Sequence, residues 1–123
     1  MKRIPSIAVV LVTMITLDAI YLNAFRGFYN HQVLLVQGGD IQFKLLPAVL
    51  TYVSLVFGLF YFIIREKKSI KDAFLLGLVI YSVFELTNKT IFNKWKMTSV
   101  IIDTLWGGVL FAITTWATYR ICK

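Results

Sequence analysis

Little in this chain is equipped for covalent chemistry. It has one cysteine, Cys122, near the C-terminal tip, so no disulfide can close within the chain and the thiol reads as free. It has one histidine, His31, with no cysteine or carboxylate at ligand spacing. An imidazole needs partner ligands to hold a metal, so His31 reads as a surface residue and no metal site is expected. No His, Cys or Ser nucleophile constellation is present, and no cofactor is implied. The two prolines, Pro5 and Pro47, both fall where a first helical turn would lie, and a missing N–H costs nothing there. Only six acids stand against thirteen Lys and Arg, a net charge of +7.

What the chain does have is apolar sequence. Of its 123 residues, 59% are hydrophobic, and the mean hydropathy is +0.76. Soluble domains carry about 45–50% apolar residues even with glycine counted. The pattern is that of an all-α, polytopic membrane protein, a bundle of four transmembrane helices in a single domain, residues 1–123. A spanning helix needs roughly 20 mainly apolar residues. Four segments qualify, at about 4–25, 45–64, 70–92 and 97–119. The first follows Lys2 and Arg3 as a signal peptide would. Its apolar run is too long for one, it contains Asp18, and no small-residue cleavage site follows, so it reads as a retained helix. The runs are continuous rather than alternating, which argues against barrel strands.

An even number of spans puts both termini on one side. Lys2, Arg3, Arg65, Lys67, Lys68, Lys71, Arg120 and Lys123 fall on that side, and Arg26, Lys44, Lys89, Lys94 and Lys96 on the other. Eight against five favours cytoplasmic termini. These bases flank the membrane, so the expected partners are the lipid bilayer and its anionic headgroups, not nucleic acid. Between the first two spans, residues 26–44 mix apolar and polar residues around Gly38-Gly39. A short helix or hairpin at the outer interface is expected, with Phe28 and Tyr29 among the headgroups.

Three acids, Asp40, Glu66 and Asp72, fall in loops, and three fall inside helices. Asp18 lies seven residues before Phe25, Glu85 seven before Phe92, and Asp103 six after Met97. At 1.5 Å per residue each lies roughly 10 Å below the same, non-cytoplasmic boundary, so three carboxylates on three helices share one layer. Each has a polar or aromatic neighbour on its own helix face. Asp18 has Tyr21 at i+3, Asp103 has Trp106 at i+3, and Glu85 has Asn88 at i+3 and Tyr81 at i−4. Together these supply an indole N–H, two phenols and an amide for hydrogen bonds to the carboxylates. Small residues four apart, Ser54/Gly58, Ala73/Gly77 and Thr104/Gly108/Ala112, would let helices approach closely. Most lie deeper than the acids, which predicts a bundle closed below and polar above.

Three motifs carry a resemblance: "LDAIYL" in the first helix, "ELTN" followed by Trp95 in the third, and "DTLWG" in the fourth. In these the chain resembles, over nearly its whole length, a family of small four-helix membrane proteins, domain of unknown function 2177. Glu85 stands where that motif usually begins with Asp. The resemblance implies the helical membrane architecture and brings no substrate.

Three functions fit the acid layer. It can be a site that binds or transports a small solute, a cation or protons, since intramembrane ionisable residues are costly and mark such sites. It can be structural, in an accessory or envelope-type protein without a ligand. Or it can serve acid–base catalysis on a lipid. The enzyme reading lacks a nucleophile. The structural reading would gain only about 0.6 kcal/mol per interhelical hydrogen bond, so the binding site is preferred. Four short helices leave little room for a pathway, so a transporter of this size is expected to be a homo-oligomer.

Overall fold

The computed structural model describes residues 3–39 and 44–122. Asp40, read above as a loop acid, and the bases Lys2 and Lys123 lie outside the described residues. Among those residues there is no strand. The helices are α1 (Arg3–Ala24), α2 (Arg26–Gln37), α3 (Leu45–Leu59), α4 (Ile70–Ile91) and α5 (Met97–Ile121). A π-helical turn, Phe60–Ile64, prolongs α3.

Three stretches are long and apolar enough to cross a membrane: Pro5–Ala24, Leu45–Ile64 and Met97–Ile121. Four such spans were expected. α4 is as long as α1, 22 residues each, but carries Lys71, Asp72, Glu85 and Lys89, and these polar positions lower its apolar content. The segment between the first two spans is the helix α2, not a hairpin. It continues from α1 through Phe25, whose N–H still donates to the Tyr21 carbonyl. It ends on Gly38, whose φ of 74° closes the last turn and lets its N–H reach the Leu34 carbonyl.

α4 and α5 pack along their length, and the contact is made by missing side chains. A Cβ on Gly77 would lie 2.2 Å from the Gly107 carbonyl oxygen, and one on Gly107 would lie 2.2 Å from the Tyr81 ring. Ala73 and Gly108 belong to the same seam. The Ser54/Gly58 pair does not form such a contact, because Gly58 has open space beside it. α3 packs on α1 and scarcely meets α4.

The apolar core joins Val10 and Met14 of α1 to Leu55 and Leu59 of α3 and to Leu110 and Phe111 of α5. All of these lie on one side of the acids, toward the α3–α4 turn, so the bundle is closed there as the spacing predicted. That turn is tied down at both ends. Ser69 caps α4 by accepting the Asp72 N–H at 3.1 Å, and the Tyr119 hydroxyl donates to the Lys68 carbonyl at 2.6 Å. Large apolar side chains such as Leu46, Val53, Val79, Val83 and Ile101 point outward, as lipid-facing surfaces require.

Candidate functional site

The three helix-borne acids meet in one polar cluster above that core. Asp103 of α5 and Glu85 of α4 are neighbours within it. Glu85 is 1% exposed, and its Oε1 accepts the Trp95 indole N–H at 2.9 Å. Asp18 of α1 accepts the Trp106 indole N–H at 3.0 Å and the Tyr52 hydroxyl of α3. The Tyr21 hydroxyl makes a looser contact with Asp103, at 3.4 Å. The Tyr21 and Trp106 rings stack at 4.5 Å, 3° from parallel, and so join the two halves of the cluster.

The partners are exchanged relative to the helix faces. Tyr21 stands one turn after Asp18 but serves Asp103, and Trp106 stands one turn after Asp103 but serves Asp18. α1 and α5 run antiparallel, so a step of three residues outward on one is matched by three inward on the other. The residues at equal depth are therefore 18 with 106 and 21 with 103.

Of the other residues expected at the site, Tyr81 is half-buried between Gly107 and the Phe111 ring and makes no hydrogen bond to the acids. Asn88 makes none either. It stands about 60° round α4 from Glu85 and is half-buried. The donor that reaches Glu85 comes instead from the connection after α4.

That connection is held by residues the sequence left unmarked. Gln32 of α2 is 1% exposed. It donates to the Lys94 carbonyl at 2.8 Å and accepts from the Lys96 N–H at 3.0 Å and the Ser99 hydroxyl at 2.7 Å. Lys89 donates to the Trp95 carbonyl at 2.7 Å. Together these bonds set the backbone from which Trp95 points at Glu85.

Tyr29, expected among the headgroups, is instead turned inward, where its hydroxyl meets that of Tyr21 beside the Asp103 carboxyl. A phenol beside a buried carboxyl gains a partner that the interface would not supply. Burial pushes the Tyr29 hydroxyl up. Tyr52 could have been found by counting, since it lies seven residues inside Leu45, the depth of the acids. Trp95 was visible only as part of a motif, and Gln32 carried no signal.

The cluster's chemistry is one of acceptors served by neutral donors. Among the described residues the only ion pair joins Arg65 to Glu66, so no Lys or Arg balances the three acids. No three His, Cys, Asp or Glu side chains among these residues are grouped to ligate one ion, and His31 is exposed.

Residues 4–120 match the model of DUF2177, described as a predicted membrane protein. The chain belongs to the DUF2177 family. No curated protein and no solved structure matches it. All three acids and the aromatics that serve them fall inside the part that matches the family.

Proposed function

We propose that this DUF2177 protein is a four-span membrane protein whose acid layer binds a proton and exchanges it for a cationic solute. The observation that carries this reading is the pairing of the buried Glu85 with its half-buried neighbour Asp103, without a balancing base among the described residues. Two neighbouring carboxyl groups do not both ionise freely, so one proton, or a cation that replaces it, is held between them. An acid layer kept only as glue would use neutral hydroxyls at lower cost.

The crossing of α4 is part of the proposal. It lies against α5 along the Gly77–Gly107 seam, is as long as α1, and turns Glu85 away from lipid. The termini are cytoplasmic by the distribution of bases. Exposed Arg65, Lys67, Lys68 and Lys71 at the α3–α4 turn suit anionic headgroups. Transport, as opposed to binding, calls for a homo-oligomer.

Infrared spectroscopy of the protein in lipid at pH 7 tests the proton. The wild type is expected to show a protonated-carboxyl band that disappears in Glu85→Gln and in Asp103→Asn and remains in Asp18→Asn. Absence of that band from the wild type would sink the reading.

A further inference from the structure

Between α3 and α4, where the bundle is not sealed, lies a cleft of about 520 Å³. Ligand pockets fall in the range of roughly 300–1,000 Å³. Leu55 and Phe84 give it apolar walls, and its polar lining comes from Thr51, Ser54, Tyr81 and Asp103. The Thr51 hydroxyl donates to the Pro47 carbonyl and the Ser54 hydroxyl to the Leu50 carbonyl, each at 2.8 Å. Both hydroxyl hydrogens are thus used within α3, and their oxygens face the cleft as acceptors. Among the described residues no Lys or Arg lines it. With α4 crossing the membrane as proposed, this cleft between two helices beside Asp103 opens to the hydrocarbon rather than to the aqueous phase.

We infer that this cleft admits an amphipathic amine from the bilayer, its nitrogen toward Asp103 and its hydrocarbon chain between Leu55 and Phe84. The inference rests on the proton-binding reading of the acid layer. Acceptors and a carboxyl with no base among them select a ligand that donates, and the apolar walls select one with a hydrocarbon body. A neutral amine crosses lipid far more cheaply than an ammonium ion. On arrival it takes the proton held between Glu85 and Asp103. One O–H bond breaks, one N–H bond forms, and the ammonium is left against the carboxylate with no net charge moved. An alcohol cannot take that proton, and a fatty acid adds a further acceptor.

The test is photolabelling of the full chain in lipid nanodiscs with a dodecylamine carrying a diazirine in its chain. Labelled peptides are expected from α3 and α4, and unlabelled dodecylamine should compete where dodecanol and dodecanoic acid do not. Asp103→Asn should weaken labelling about tenfold, the scale of one lost hydrogen bond to a charged group. Ser54→Phe, which fills the cleft, should abolish labelling. Leu50→Trp narrows the same mouth from a lipid-facing position and serves where Ser54→Phe fails to fold. Equal competition by all three dodecyl compounds would make the cleft an unselective groove and overturn the inference. Undiminished labelling in both folded cleft variants would also overturn it. In either case a carboxyl band still present in the infrared spectrum leaves the proton-binding reading standing, whereas loss of the band from the wild type removes both.

Discussion

Trp106 of α5 donates its indole N–H to Asp18 of α1 at 3.0 Å, while its ring lies flat on Tyr21, whose hydroxyl turns to Asp103. Two i,i+3 pairs on antiparallel helices thus interlock, each aromatic serving the other helix's acid. Trp106→Phe keeps a ring for the stack and removes the donor. A loss of about 1–3 kcal/mol is expected, read as thermal stability in lipid. A double-mutant cycle should show coupling to Asp18→Asn and none to Glu66→Gln, which lies in the α3–α4 turn.

Glu85 is served by Trp95 and not by its own helix neighbour. Trp95→Phe should shift the infrared carboxyl band assigned to Glu85 and Asp103, because it removes the donor at 2.9 Å. Asn88→Ala should leave that band where it is. The opposite pattern would mean that the amide, one turn along α4, is the true partner.

Gln32 satisfies three groups of the α4–α5 connection and its flank. Gln32→Leu strands the Lys94 carbonyl, the Lys96 N–H and the Ser99 hydroxyl; of these the Ser99 hydroxyl is buried, and a buried orphan costs about 1–3 kcal/mol. Faster amide exchange is expected at residues 94–99, with α1 unaffected. Uniform acceleration along the chain would show that Gln32 supports the whole fold rather than this connection.

The glycines make an internal control. Gly107→Ala forces a methyl group into the Tyr81 ring and should cost roughly 1–3 kcal/mol as α4 is pushed from α5. Gly58→Ala meets open space and should stabilise by up to about 1 kcal/mol through helix propensity. Thermal unfolding of the two variants side by side decides whether the seam is as tight as its geometry.

Orientation is open to a direct test. A reporter fused after Lys123 should read as cytoplasmic, and one inserted at Gly38 as external. Reversed signals would show that eight bases against five do not orient this chain.

The helices and the rough depth of the acids were legible in the chain itself, because both depend on neighbours in sequence. Apolar run length sets where a helix can span, and 1.5 Å per residue puts Asp18, Glu85 and Asp103 at similar distances from their helix ends, although the packing sets Asp18 and Asp103 about one turn apart in depth. The family motifs marked the same residues. What one chain direction cannot reveal is which acid each donor meets. Asp18 and Trp106 are 88 residues apart, Tyr21 and Asp103 are 82 apart, and Gln32 and Ser99 are 67 apart. The antiparallel packing of α1 on α5 decided the first two pairings by exchanging partners that helix periodicity had put side by side. The folding of α2 over the α4–α5 connection decided the third, and it drew Tyr29 inward. Asn88 fell out of the cluster because the Trp95 indole, brought back by the α4–α5 connection, reaches Glu85 instead. Local spacing settles how far a residue lies from its helix end, and only the packing of helix on helix settles what stands opposite it.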